Sequence, residues 1–258
     1  MAIINARRPL LPSQNTFTPS RLAQIRLNGP KPVAINSFYK RKPDPKIRLE
    51  NVTLWAASWG QDAMMLNKTL RVLCYCRHNI KFGRIIHFSR TPPQLPDCPW
   101  ETVIIPELDM NRWNIFVNRV VPNYIKNDFA MSVHEDGFPL RFDLWQSAFL
   151  KYDYIGAPWQ DGVVGNGGFN IESKAMLNAK ARLNFTAEEL TTASDMYVCR
   201  NRKAELEALG LKFAPRDLAL EFSTETFGNQ WPSFGFHGRA VAKGKFDEGW
   251  RIINECLK

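Results

Sequence analysis

His134, Glu135 and Asp136 follow directly on the apolar run "FAMSV" and precede Gly137. Carboxylates at the carboxyl end of a strand in an open α/β sheet stand where such sheets bind ligands, and they can hold a divalent cation there. The same residues also fit a plain polar turn, because Asp-Gly is a favoured turn dipeptide. Gly165, Gly167 and Gly168 form a second group, in "VGNGGFNIES". Clustered glycines permit positive φ and let a ligand approach the backbone closely. Asp195 follows Ser194 at the start of a helical pattern, with Ser194 suited to the N-cap and Asp195 to the first turn, where the helix dipole favours an acid. His237 stands between Phe236 and Gly238, a setting that suits a packed, hydrogen-bonded imidazole.

The elements that must position these residues can be read from periodicity. "NVTLWAAS" (residues 51–58) has the content of a buried strand, and "GQDAMMLNKTLRVLCYCRH" repeats its apolar residues at helical spacing. "FGRIIHFS" and "TVIIPEL" read as strands, "NRWNIFVNRVVPNYI" as a helix and "DFAMSV" as the strand before the acidic turn. This alternation predicts a mainly parallel sheet flanked by helices. Ala56, Ala57 and Ser58 would then end the first strand beside Asp136 at the end of the fourth. The second half is less regular: a helix over "RFDLWQSAFL", a strand at "FNIES", a helix from Ser194 to near Gly210 and a strand at "LKFAP", with "RDLALEFSTE" undecided. No P-loop lysine pattern and no GxGxxG follows the first strand, which disfavours an ordinary ATPase and a Rossmann dehydrogenase.

With 258 residues and 45% hydrophobic content, the chain can bury a full core and suits one large domain. Its net charge of +9 is confined to one segment. Residues 1–48 hold ten Lys or Arg against one acid, Asp44, so the rest is formally neutral. Seven of the 17 prolines lie in the same segment, which reads as an extended basic arm (1–48) ahead of a single domain (49–258). Such an arm can meet an anionic membrane surface, a nucleic acid or an acidic partner. The five cysteines are scattered, without a disulfide framework or zinc spacing. No stretch approaches the roughly 20 apolar residues of a spanning helix, and the first residues lack a signal-peptide core, so a cytoplasmic location, peripheral to a membrane if the arm binds one, is the expectation.

"HEDGF", "YDYIGAPW", "VGNGGFNIES", "SDMYVCR", "LKFAP" and "SFGFHG", in this order, resemble an uncharacterised bacterial glycosyltransferase-like family with a GT-A type fold. With "NVTLWAAS" and "IKFGRIIHFS" the resemblance spans roughly residues 50 to 240. It implies an α/β fold with a Rossmann-like nucleotide-binding half and an acceptor half. It also implies transfer of a sugar, with inversion and metal assistance, from a nucleotide-diphosphate sugar, UDP-sugar favoured. The acceptor would be a hydroxyl on a glycan, a lipid-linked chain or another polymer. Carried over residue by residue, Ala56, Ala57 and Ser58 would face the nucleotide, and the acidic DxD role would fall on Asp136, with Glu135 and His134 as neighbours. His237 would be a further metal ligand beside Asp136, with His134 as a third. Asp195 would take the acceptor proton as catalytic base. Gly167, Gly168 and Phe169 would border the donor sugar, and Trp159 would stack on the acceptor side. Oxygen ligands suit Mg²⁺ or Mn²⁺, and a histidine among them favours Mn²⁺. His134 stands where a strict DxD has its first acid, which sets this chain apart from that pattern. The alternative is a non-catalytic protein that keeps the fold and binds a glycan, nucleotide or nucleic acid with help from the basic arm.

Overall fold

The computed structural model of the chain describes residues 43–58, 63–93, 98–225, 232–239 and 243–256. The basic arm lies outside the described residues as far as residue 42. Strand β1 (Ile47–Ser58) begins four residues earlier than the apolar run suggests. Ile47 and Leu49 are buried, whereas Arg48 and Glu50 face outward, where Glu50 pairs with Arg48 and Lys81 at 2.7 Å each. This alternation is what a half-buried strand requires.

Helix α1 (Ala63–Asn79) leads into β2 (Ile80–Ser89), β3 (Glu101–Ile104) and then α2 (Met110–Ile115). The Asp109 carboxylate caps α2 by accepting from the Arg112 amide at 2.8 Å. The helix continues through a π-helical segment, Phe116–Val120, into α3 (Val121–Tyr124), with Pro122 in its first turn. Strand β4 (Phe129–Ser132) follows, and later β6 (Tyr154–Gly156) and β7 (Asn170–Ser173) complete a sheet of order β3-β2-β1-β4-β7-β6. Strands β1 to β4 pair in parallel, and β7 is antiparallel to both β4 and β6, so β7 runs against the others. The expected α/β architecture with a mainly parallel sheet is present.

One face of β1 carries Leu54 and Ala56 into a core with Leu66, Leu70 and Leu73 of α1. The other face carries Trp55 into a core with Phe116, Val121 and Ile125. Helices thus cover both faces, as a largely parallel sheet demands.

The second half departs from the sequence expectations in several places. "RFDLWQSAFL" forms two 3₁₀ turns, Phe142–Leu144 and Ser147–Lys151, and not one helix. Trp145 between them is extended and packs edge-on against Phe149 and Phe234, at centroid distances of 5.4 and 5.2 Å; tertiary burial overrides helical spacing here. Helix α4 (Lys174–Lys180) follows β7 and is capped by Ser173. Helix α5 (Ser194–Met196) passes through a second π-helical segment, Tyr197–Asn201, to α6 (Lys203–Ala208). The cap of α5 is Ala193 and not Ser194, which is already inside the helix. "LKFAP" contributes a single bridge, Phe213 to Tyr154, in place of a strand. "RDLALEFSTE" resolves into α7 (Arg216–Phe222) and the short β8 (Ser223–Thr224). A small second sheet of order β5-β9-β8 joins β5 (Gly137–Pro139) to β9 (Gly235–His237), and α8 (Lys243–Cys256) packs beside it. No described helix is long and apolar enough to cross a membrane.

Candidate functional site

The acidic turn is both a turn and part of a site. His134 and Gly137 exchange backbone hydrogen bonds of 2.8 and 3.2 Å, which leaves Glu135 and Asp136 at the tip. The tip is held from outside: Arg239 binds the Glu135 carboxylate at 2.8 Å, and the Trp250 indole N–H of α8 donates to the Glu135 carbonyl at 3.1 Å. Glu135 is thereby engaged by its own ion pair, whereas Asp136 turns toward His237.

β9 brings His237 into register with Gly137. A Cβ built on Gly168 would lie 1.9 Å from this imidazole, and one on Gly137 would lie 2.8 Å from it. The two glycines therefore form the slot in which the ring sits, and no side chain fits there. His237 Nδ1 lies 3.1 Å from Glu225 Oε1, and Nε2 lies 3.7 Å from Asp136 Oδ1. Asn166 donates its side-chain amide to the same Glu225. A carboxylate behind a histidine fixes the tautomer and directs the other nitrogen outward, as the supporting shell of a metal ligand does.

One ligand atom from each of His134, Asp136 and His237 lies within 4.8 Å of the others. Two imidazoles and a carboxylate form a donor set that suits a first-row divalent cation. The two rings differ in electrostatics. Burial, and then the neighbouring His237, push His134 down to about 4, although Asp136 opposes this. For His237 burial also disfavours the charged form, but the hydrogen bond that its ring donates to Glu225 and the charges of Asp136, Glu225 and Asp195 outweigh it, so its pKa is raised.

The glycine loop joins this cluster to Asp195. Its positive φ belongs to Asn166, at 64°, and not to Gly165, Gly167 or Gly168; asparagine tolerates that region through local hydrogen bonds, and here its Oδ1 accepts from the Gly168 amide at 3.1 Å. The glycines serve close approach instead. The Gly167 amide donates to Asp195 Oδ2 at 3.1 Å, and its carbonyl accepts from Ser132 at the end of β4 at 3.1 Å. Asp195 also accepts from the Met196 amide at 2.8 Å. A carboxylate has about four acceptor positions, so capacity for a substrate proton remains.

His134, His237, Gly167, Gly168 and Asp195 line one pocket of about 180 Å³ at the carboxyl end of the sheet. Its aromatic wall is Trp55 and Trp113, and Trp113 meets His134 edge-on at 6.0 Å. Glu172 on β7 and Lys180 at the end of α4, with Asn118 and Tyr154, also line it. None of these six, nor Glu225, was expected as a site residue from the sequence.

Several predicted site residues lie elsewhere. Ala56 is fully buried in the core on the α1 face, and Ala57 packs in the opposite core. Ser58 is buried, and its hydroxyl shares a 3.0 Å hydrogen bond with His87. The β1 side chain that reaches the pocket is Trp55. Phe169 is fully buried, stacked on Phe222 at 4.7 Å with a 12° interplanar angle. Trp159 does not line the pocket: its ring presses on Gly165 and is covered by the Arg200 guanidinium at 4.5 Å.

Comparison with known proteins gives the following. The family described as "Protein of unknown function (DUF5672)" matches residues 122–237, the stretch that holds the acidic turn, the glycine loop, Asp195 and His237. No curated protein matches the chain. A solved glycosyltransferase involved in the glycosylation of the major capsid of PBCV-1 is 10% identical, over 78% of this chain and 98% of that one, with a TM-score of 0.46. The glycosyltransferase GlyE of Streptococcus pneumoniae TIGR4 is 11% identical, over 80% of this chain and 62% of that one, with a TM-score of 0.39.

Proposed function

We propose that this chain is a glycosyltransferase that moves a sugar from a nucleotide-diphosphate sugar, with UDP-sugars the first candidates, to a hydroxyl acceptor on a glycan, lipid-linked chain or other polymer. One observation carries the proposal. A three-residue ligand cluster (His134, Asp136, His237) and a carboxylate (Asp195) line or border a single pocket, tied together by the Gly167–Gly168 backbone. The cluster suits the diphosphate end of a donor and the carboxylate suits the proton of an acceptor.

His134, Asp136 and His237 would hold a divalent cation, Mn²⁺ or Mg²⁺. Such a cation stabilises the negative charge of a departing nucleoside diphosphate as a Lewis acid. Glu225 keeps the His237 ring turned, through Nδ1, so that Nε2 faces the cluster. Asp195, its carboxylate oriented by the Gly167 and Met196 amides, accepts the proton of the attacking hydroxyl. An inverting reaction requires base and leaving group on opposite sides of the sugar, so the sugar would lie between Asp195 and the cluster.

The test is nucleotide release from a panel of UDP- and GDP-sugars with Mn²⁺, in the presence of mixed glycan acceptors. Turnover that is lost in Asp136→Ala and in Asp195→Asn supports the assignment. Turnover unchanged in both variants would remove these residues from the mechanism.

A further inference from the structure

The lining of the pocket includes a charged pair that the proposed reaction leaves unused. Glu172 and Lys180 are 3% and 1% exposed, and Lys180 Nζ donates to both carboxylate oxygens at 2.7 and 2.6 Å. Burying two ions is costly, and an apolar pair of similar size is often as stable or more so. This pair lines the pocket and is not sealed in the core. The same pocket is lined by Asn118, on the π-helical segment, a distortion often found at functional sites. Its side-chain amide is fixed by donation from Nδ2 to the Asn114 carbonyl at 3.0 Å. The Oδ1 atom is buried and has no hydrogen-bond partner among the described residues, although Asn118 is 0% exposed. A buried acceptor of this kind calls for a ligand or a water.

We infer that Glu172, Lys180 and Asn118 form the floor of a subsite for one uncharged monosaccharide unit and read its hydroxyls, while the nucleotide stays outside. The inference rests on the glycosyl-transfer reading of the pocket. Ammonium and carboxylate cancel each other, so the floor offers an N–H donor and acceptors without net charge. That pattern matches a hydroxyl, which both donates and accepts, and disfavours a sugar carboxylate. The apolar faces of Trp113 and Val117 complete the wall, and aromatic rings suit the apolar side of an amphipathic ligand. Size points the same way: about 180 Å³ is below the roughly 300–1,000 Å³ of sites for drug-sized ligands, and it admits one ring but not a whole nucleotide sugar.

The experiment is ligand-observed NMR on the full chain with the diamagnetic Mg²⁺. Its probes are UDP-glucose, UDP-galactose, UDP-N-acetylglucosamine, GDP-mannose and UDP-glucuronate, and then the free sugars beside UDP or GDP. Signal from nucleotide-linked sugars marks a donor subsite; signal from free sugar beside bound nucleotide marks an acceptor subsite. The variants are Glu172→Met with Lys180→Met, which removes both charges together, and separately Asn118→Leu, each checked by thermal melting. The expected result is binding of an uncharged sugar that weakens roughly tenfold to hundredfold in the folded double variant, the effect of losing charge-assisted hydrogen bonds, and about twofold to tenfold in Asn118→Leu, the effect of losing a neutral one, with nucleotide affinity unchanged. Sugar affinity that is unaltered in both variants, or strongest for glucuronate, overturns the subsite and leaves glycosyl transfer standing. No nucleotide binding by the native chain overturns both.

Discussion

Replacing Gly168 by alanine tests the slot that holds His237. The added methyl would stand 1.9 Å from both Cδ2 and Nε2 of the ring, far inside any real contact, so the imidazole must turn out. Doing so breaks the 3.1 Å contact with Glu225 and removes one of the three clustered ligands. Overpacking of this kind costs about 1–3 kcal/mol, which lowers the melting temperature of a domain this size by roughly 2–12 °C. Disturbing a metal ligand's support typically costs about 10–100-fold in metal affinity, and displacing His237 itself should cost at least that much. Gly167→Ala is the contrast, because its nearest new neighbour, Asp195 Cβ, would lie at an ordinary 3.4 Å. Calorimetric titration of Mn²⁺ in the presence of UDP, with thermal melts on both variants, separates the cases. If Gly168→Ala melts and binds Mn²⁺ as the native chain does, His237 is not confined as described and the metal cluster is refuted.

Other outcomes follow from the same geometry. Asp195→Asn keeps the shape but turns one of the two oxygens that accept from the Gly167 and Met196 amides into a donor, which should cost about 1 kcal/mol and lower the melting temperature by roughly 2–4 °C, while turnover falls about 10²–10⁴-fold, the usual share of a general base; a fall in turnover no larger than that stability loss explains would mark a structural role. Trp250→Phe retains the ring packing but loses the 3.1 Å bond to the Glu135 carbonyl, which should cost about 1 kcal/mol and weaken Mn²⁺ binding by loosening the turn, as melts and titration can check. His87 is fully buried and held down to about 3 by desolvation, so between pH 3 and 6.5 the unfolded chain binds more protons than the folded one. Stability therefore falls as pH drops through that window, by about 2 kcal/mol from this group at pH 5, and His134 acts in the same direction. Denaturant unfolding at pH 7 and pH 5 should show His87→Asn with a flatter dependence than the native chain; an identical slope would show that His87 is not the group responsible.

The parts that were legible from sequence are those set by strand ends. A strand that stops on His134, Glu135 and Asp136 reveals its turn, and the glycines after Val164 reveal a place of close approach. The cluster of His134, Asp136 and His237 was reachable through the resemblance, although His237 stands 103 positions after His134. Residues whose role depends on facing were not legible. β1 is apolar on both faces, so composition does not say that Trp55, and not Ala56 or Ser58, meets the pocket. Glu172 looks like one more position of an alternating strand, and Lys180 like the solvated end of a helix. Glu225 lies at the edge of an undecided segment, and the π-helical turns that position Asn118 and Val198 leave no trace in a 3.6-residue period. Trp159 failed for another reason: Arg200, 41 residues further along, takes the ring face that a sugar would need.

The most direct measurement is calorimetric titration of the native chain and of Asp136→Ala with UDP and GDP, each with and without Mn²⁺. Binding of one nucleotide that requires Mn²⁺ and disappears in Asp136→Ala is the expected result. Absence of nucleotide binding under every condition, or binding that neither Mn²⁺ nor the substitution alters, would contradict the proposed donor site.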